Sequence, residues 1–360
     1  MTLHETAMSA PTAFRVSEKR FRRGGEADAT PGSAIDFSHV EASSPQYKEL
    51  VEPVVLESEP PTWLRHARVY SIRGVHGFRF ICHALSSTEQ LHWARAALQT
   101  WPESPGVTNL SPNGNLQSAA DTAVSVWEEH KRGSGAQKTR LSKLAWATLG
   151  YHYQWSERRY DHSKRSEFPS DLAQLASDLA TVAGYSLQAE AAIVNYYHPG
   201  STMGGHRDDA EPFQKAPIVS VSLGLSAIFL LGGTTRDETP IALMLRSGDV
   251  IVQGGESRGY YHGVPRIFAD SLPAELQAAA KSEEDREIIE WLYTHRINVN
   301  VRQVNELTDR CLPASVERRC IGQEEPCHTS NVLRGSTAPT SVLKRYREVA
   351  TDGTGSTCDD

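Results

Sequence analysis

A histidine and an aspartate separated by one residue, His206-Arg207-Asp208, follow an apolar run, Ala192-Ile193-Val194-Asn195-Tyr196-Tyr197, across Pro199 and Gly200. In an extended segment, side chains two apart point the same way. One imidazole and one carboxylate are two ligands of the 2-His-1-carboxylate face that holds non-haem iron(II) and leaves other positions open. A third ligand is expected on a later strand. His262, in Gly259-Tyr260-Tyr261-His262-Gly263, follows a strand and a glycine-rich bend. Alone it reads as a structural histidine; beside His206 and Asp208 in one β-fold it reads as a ligand. Further on, Arg296-Ile297-Asn298-Val299-Asn300-Val301-Arg302 alternates strictly, so Arg296, Asn298, Asn300 and Arg302 share one face of a strand. Arginines on a core strand need anions or water, because a buried unpaired charge is costly. A dicarboxylate would meet them through bidentate guanidinium contacts. An edge strand with one solvated face is the plainer alternative.

These residues need a β-fold around them. Short apolar strands are expected at Ala192–Tyr197, Ile218–Leu223, Ala227–Leu231, Ile241–Leu245, Val250–Gln253 and Ile297–Val304, with turns at Gly232-Gly233, Ser247-Gly248-Asp249 and Gly254-Gly255. Many short strands behind helices predict an α+β, mainly β fold, a jelly-roll or double-stranded β-helix with N-terminal helical support. Arg68 to Leu85 reads as a strand. Ser86 with Glu89 makes a capping box ahead of Leu91, Ala94, Leu98 and Trp101 at helical spacing. Pro102 to Ala120 reads as a loop. Ser170 is expected to cap a second helix lined by Leu172, Leu175, Leu179 and Val182 and ended by Gly184. Leu272 to Trp291 is a charged, alanine-rich helical insert. The organisation expected is a poorly ordered arm (1–45), helical support with the aromatic run (46–190), a β core (191–305, with its insert at 270–291) and a polar extension (306–360).

The chain of 360 residues, 39% apolar, can bury a substantial core. No apolar run approaches the roughly 18 residues that cross a bilayer, and no cleavable signal is evident, so a soluble intracellular monomer without a membrane partner is expected. Nucleus or cytoplasm are the expected compartments, with the mitochondrion an alternative suggested by the basic run Arg15 to Arg23 and opposed by Glu5, Glu18 and Glu26. Five cysteines, Cys82, Cys311, Cys320, Cys327 and Cys358, argue against a secreted disulfide scaffold. A zinc site from Cys311, Cys320, Cys327 and His328 can be drawn, but its spacing fits no standard pair pattern. The net charge is -7, yet between Lys131 and Arg165 nine basic residues face only Glu157 and Asp161, a local +7. Such a patch can attract phosphates, or be a solvated face. It brackets an aromatic run, Leu144-Ala145-Trp146-Ala147-Thr148-Leu149-Gly150-Tyr151-His152-Tyr153-Gln154-Trp155.

From about Thr139 to Val304 the chain resembles the AlkB family of iron(II)/2-oxoglutarate dioxygenases, and within it the AlkB homologue 1 subgroup. The resemblance is carried by Asn195-x-Tyr197, His206-x-Asp208, Pro217 to Phe229 (PIVSVSLGLSAIF), Ser247-Gly-Asp249, Gly254 to Arg258 (GGESR), His262-Gly263 and Arg296-x-Asn298-x-x-x-Arg302. It implies that His206, Asp208 and His262 ligate Fe(2+), with O2 as second cosubstrate. It also implies that Asn195, Tyr197, Arg296, Asn298 and Arg302 hold 2-oxoglutarate. The aromatic run resembles the family's nucleotide-recognition lid, with Trp146 stacking on a flipped base and Tyr151 and Tyr153 shaping the pocket. Arg236 is a further candidate for substrate contact. The acidic base contact of the bacterial enzyme falls at Ala210, with Asp209 and Glu211 beside it. The long insert before Arg296 and the cysteine-bearing tail depart from the bacterial pattern. The implied reaction is removal of methyl groups from nucleic-acid bases, 1-methyladenine in tRNA first. DNA methyladenine demethylation, methylcytosine oxidation and protein hydroxylation are the alternatives within the chemistry. A cupin-like metal protein, which has no need of the Arg296/Arg302 pair, and a catalytically silent nucleic-acid binder are the rivals outside it.

Overall fold

The computed structural model describes residues 10–22, 33–42, 44–56, 59–111, 124–133 and 138–306. Cys311, Cys320, Cys327, His328 and the extension past Glu306 lie outside the described residues. The expected arm contains α1 (Ala13–Phe21), which starts at Thr12, whose hydroxyl accepts the Arg15 amide, and which buries Phe14, Glu18 and Phe21. This part of the arm is therefore folded. Short α2 (Pro45–Lys48) and β1 (Val51–Pro53) follow. The single strand expected at Arg68 to Leu85 is a hairpin, β2 (Arg68–Ile72) and β3 (Val75–Cys82). The turn between them uses Gly74 at φ 79°, a left-handed backbone that glycine adopts without strain.

The capping box forms as expected on α3 (Ser87–Arg95), which widens into a π-helical turn, Ala96–Thr100, burying Leu98. Next come β4 (Val107–Thr108) inside the expected loop, α4 (Val126–Arg132), β5 (Trp146–Gln154) and β6 (Arg159–Arg165). α5 (Ser170–Val182) is preceded by Pro169 as its N-cap, so Ser170 is the first helical residue and not the cap. Gly184 does end it, at φ 84°. The later strands are β7 (Ala191–Tyr197), β8 (Met203–His206), β9 (Ile218–Gly224), β10 (Ala227–Leu231), β11 (Ile241–Leu245), β12 (Val250–Gln253) and β13 (His262–Ile267). The insert is two helices, α6 (Ala274–Gln277) and α7 (Glu283–Leu292), because Ser282 and Asp285 form a capping box that starts a new one. β14 (Arg296–Arg302) closes the described core.

The fold is mixed α+β with two antiparallel sheets. Ten strands form the larger, in the order β1-β2-β3-β12-β9-β14-β7-β5-β4 with β6 on β5; four form the smaller, β11-β10-β13-β8. β14 sits in the middle of the large sheet, pairing with β7 and β9 along its length. It is not an edge strand. Its Ile297, Val299 and Val301 join one buried cluster with Leu91 and Leu98, Leu175 and Leu179 of α5, and Ile288 and Leu292 of α7. The opposite face, Arg296, Asn298, Asn300 and Arg302, lines a cavity shared with residues of the small sheet. Burying each aliphatic side chain stabilises by about 1.5–3 kcal/mol, so the alternation that sets the core also commits the polar face to the cavity. Among the described residues no helix is long and apolar enough to cross a membrane.

Candidate active site

β8 carries His206 at its last position and β13 starts at His262, and the two residues are direct partners in the small sheet. Asp208 lies in the loop just past β8, so the expected extended alternation stops at His206. The three still converge. His206 Nε2 is 3.9 Å from Asp208 Oδ1, His262 Nε2 is 3.7 Å from Asp208 Oδ2, and the imidazole centroids are 4.4 Å apart. His206 Nδ1 lies 2.9 Å from the Gly204 carbonyl and His262 Nδ1 lies 3.2 Å from the Tyr260 carbonyl. A carbonyl only accepts, so each Nδ1 carries a proton, which turns each Nε2 to the side of Asp208. Burial, helped by His206, pushes His262 down to about 4. Burial opposes ionisation of Asp208, but Arg302 and then the two histidines outweigh it and hold the carboxyl well below its usual range. Two neutral imidazoles and a carboxylate in this arrangement can hold a divalent cation.

The β14 face supplies the cationic wall. Arg296 is fully buried, donating to the Leu225 carbonyl at 3.1 Å and to Ser222 Oγ at 2.8 Å, and its Nε finds no partner. Burial pulls it down to about 10. A buried guanidinium held only by neutral acceptors is matched to an incoming carboxylate. Asn298 donates to Ser220 Oγ at 2.9 Å and to the Val221 carbonyl at 3.1 Å, and receives the Asn300 amide at 2.8 Å. Asn195 and Tyr197, opposite Asn298 and Arg296 on β7, line the same cavity. Burial pushes the Tyr197 phenol up to about 12, and its hydroxyl points to Met203 Sδ at 3.6 Å.

Arg302 is engaged differently, and through Glu211, which the sequence offered only as an acid beside Ala210. Its Nη2 donates to Asp208 Oδ2 and its Nη1 to Glu211 Oε1, both at 2.8 Å. Glu211 also accepts Arg258 Nη2 at 2.6 Å and the Tyr160 hydroxyl at 2.9 Å, and its side chain is 0% exposed. Arg258 reaches the Asp208 carbonyl through Nη1. Burial disfavours the charged form of Glu211, yet Arg302 and Arg258 overcome it and lower its pKa. Glu211 thus ties β6, through Tyr160, to the residues around Asp208. Its partners are 47 to 91 residues away, so no local pattern announces it. Position in the Asp209-Ala210-Glu211 run beside the His-x-Asp pair was the only signal.

The cavity has a volume of about 460 Å³ and opens between β8 and the β5–β6 hairpin. Tyr153, Asp209 and Ala210 line it, with Trp155, Arg158 and Arg207, which the sequence reading did not single out. Trp155 is 47% exposed, with its ring 4.8 Å from that of Tyr153 and 5.2 Å from that of Trp146. Trp146 sits at the start of β5 opposite Asn195, beside Trp155, and is not among the residues that line the cavity. Tyr151 is also off the wall, buried with Tyr160, Ala191 and Val304 and covered by Arg165 at 5.1 Å. Arg236 braces β8, donating to the Gly205 carbonyl at 2.7 Å. The basic excess is partly neutralised by acids outside the window: Lys131 pairs with Glu287 at 3.3 Å, Arg140 with Glu129, and Arg158 with Asp209 at 3.5 Å. α1 backs β8 from the other side. Glu18 accepts the Gly205 amide at 2.6 Å, and a Cβ on Gly205 would lie 2.5 Å from the Phe14 ring.

Comparison with known proteins agrees with this geometry. The profile of the 2OG-Fe(II) oxygenase superfamily matches residues 77–302, from β3 to the end of β14. The nucleic acid dioxygenase ALKBH1 of Mus musculus is 34% identical over 93% of this chain and 93% of its own length. The tRNA demethylase abh1 of Schizosaccharomyces pombe is 33% identical over 82% of this chain and 97% of its own. The DNA N(6)-methyladenine demethylase ALKBH1A of Arabidopsis thaliana is 39% identical over 66% of this chain and 77% of its own. That family has a double-stranded β-helix fold, which the two antiparallel sheets accommodate. The protein therefore belongs to the 2OG-Fe(II) oxygenase superfamily, as an AlkB-type, ALKBH1-like dioxygenase that uses Fe(II) and 2-oxoglutarate.

Proposed function

We propose that the protein is a nucleic-acid oxidative demethylase whose leading substrate is 1-methyladenine in tRNA, with His206, Asp208 and His262 holding the iron and Asn195, Tyr197, Arg296, Asn298 and Arg302 holding 2-oxoglutarate. One observation carries the reading: a single cavity joins the His/Asp/His set and the buried Arg296 to a mouth framed by Trp155, Tyr153, Arg158 and Arg207. When bound, iron and 2-oxoglutarate supply the dioxygen-dependent oxidation of an N-methyl group, which then leaves as formaldehyde. The chain's own residues do the rest. The two Nδ1–H bonds to carbonyls orient the imidazoles, Arg296 receives a carboxylate, and the Glu211 network fixes Arg302 against Asp208. In this reading the β5–β6 hairpin is the nucleotide-recognition lid. Trp155 stacks on the base, Arg158 and Arg207 meet phosphate, and the anionic Asp209 faces the cationic ring of 1-methyladenine. The names of the mouse and fission yeast relatives support nucleic acid and tRNA, and RNA loops present unstacked bases. The plant relative gives N6-methyladenine in DNA as the second reading.

The test is to incubate iron-loaded protein with dioxygen, 2-oxoglutarate and RNA and DNA oligonucleotides carrying 1-methyladenine, N6-methyladenine or methylcytosine, then to measure bases and succinate by mass spectrometry. Loss of the methyl group from the tRNA oligonucleotide is expected to outpace the others. Succinate without any change in a base would sink the nucleic-acid reading and leave the dioxygenase standing; turnover confined to DNA would transfer the reading to the second substrate.

A further inference from the structure

Among the described residues, two groups bring three metal-ligating atoms within 4.8 Å of one another: His206, Asp208 and His262, and a separate set made of Cys82, His83 and Asp249. The second shares no residue with the first and contains a sulfur. Cys82 ends β3 and Asp249 immediately precedes β12, its neighbour in the large sheet. Cys82 and Asp249 are buried, whereas His83 is exposed.

Adjacent residues of a strand point to opposite faces, so Cys82 and His83 could not both serve one site in regular β structure. Here His83 has φ 53°, a left-handed conformation uncommon for a histidine, which breaks the pleat and brings its ring to the thiol side. Its backbone is pinned there by the His83 amide, which donates to Asp249 Oδ1 at 3.0 Å. Asp249 Oδ2 accepts the Arg246 amide at 2.8 Å, while the Arg246 guanidinium is spent on Asp36 at 2.5 and 2.6 Å. The hydrogen bonds to the buried Asp249 carboxylate thus come from backbone amides, with the Arg246 guanidinium acting on it only as a nearby charge, and each oxygen keeps a second lone pair. Arg68 Nη2 lies 3.8 Å from Cys82 Sγ, but burial and the neighbouring Asp249 outweigh it and push the free thiol up to about 11. A metal that binds a thiol displaces its proton, so a divalent cation at this set would supply the charge that offsets a buried thiolate and carboxylate.

We propose that Cys82, His83 and Asp249 form a second, sulfur-containing site for a thiophilic divalent cation of the zinc class, open to solvent on the His83 side. Donors of a tetrahedral zinc set stand about 3.5 Å apart, and these three lie within 4.8 Å of one another, so binding draws the donors closer together.

Cobalt(II) is the probe, used on the full chain with Cys311, Cys320, Cys327 and Cys358 replaced by serine so that Cys82 is the sole thiol. Excess cobalt is expected to give two bound equivalents by elemental mass spectrometry and a sulfur-to-cobalt charge-transfer band in the near ultraviolet. The His/Asp/His set cannot produce that band. His206→Ala should remove one equivalent and leave the band; Cys82→Ser should remove the band and the other equivalent; His83→Ala should weaken that site roughly tenfold or more. No band at saturating cobalt, or a band that survives Cys82→Ser, overturns the proposal, whichever substrate the dioxygenase takes.

Discussion

Glu211→Gln isolates the buried carboxylate that three elements share. The amide keeps the volume and keeps one oxygen, which stays where Arg302 Nη1 and the Tyr160 hydroxyl both donate. Its NH2 then faces Arg258 Nη2, donor against donor, where Glu211 Oε2 accepted at 2.6 Å. Arg258 is 3% exposed at its side chain and cannot turn to water. Removing one partner of a buried ion pair costs about 3–5 kcal/mol, a large fraction of the roughly 5–15 kcal/mol that holds a domain folded. Denaturant unfolding should show the unfolding free energy falling by that amount, as a lower midpoint at unchanged slope. The pH dependence carries a second signature. The folded pKa of Glu211 is lowered below its unfolded value of 4.5, so its stabilisation is fully present above pH 4.5 and is lost as pH falls through the folded pKa. The variant should lose that part of the acid limb while matching the wild-type curve shape near neutrality. An unfolding free energy within about 0.5 kcal/mol of wild type, the range of an ordinary surface change, would refute the clamp.

Arg296→Met removes a buried cation that has no carboxylate partner in the free protein; two charge-assisted bonds at about 1.5–3 kcal/mol each predict a KM for 2-oxoglutarate raised roughly 100-fold or more, with no loss of folding stability. An unchanged KM, read from succinate formation, would remove Arg296 from the cosubstrate site. Trp155→Ala should raise KM for a methylated oligonucleotide roughly 5- to 150-fold, the equivalent of about 1–3 kcal/mol of stacking, and leave that for 2-oxoglutarate alone. Trp146→Ala, at a residue that does not line the cavity, should move it less; the reverse order would restore Trp146 as the stacking residue. Gly205→Ala drives a methyl into the Phe14 ring and should cost about 1–3 kcal/mol; combined with Phe14→Ala it should cost less than the sum, and strict additivity would show that α1 does not press on β8.

What could be read from the chain beforehand depended on how far a residue's partners lie along it. β14 was legible because its seven residues alternate, and a period of two assigns each side chain a face without reference to anything else. The strands β9, β10, β11 and β12 were legible because apolar runs between turn residues have few other uses. β5 was not recognised as a strand, since it is buried for most of its length and so shows no alternation, and its aromatics suggested a covering segment. α1 is nine residues long with polar faces on most sides, and nothing local foretells that Phe14 and Glu18 will seat on a glycine pair near residue 205.

The same limit explains why the charge count misled. A window from Lys131 to Arg165 records its own acids and omits Glu129, Asp209 and Glu287, which the fold brings in as partners. Two arginines from outside that window, Arg258 and Arg302, meet at Glu211, as does Tyr160 from within it. The candidate metal-ligand pattern is readable because ligation chemistry restricts residue type and, for His206 and Asp208, spacing. The shell that orients it is restricted only by burial: any buried cation must find an acceptor, and the fold decides which one. Arg302 finds Asp208 and Glu211, whereas Arg296 finds only neutral oxygens. Both keep an unpartnered Nε, so what separates two arginines six positions apart on one strand is the charge of the acceptors each already holds.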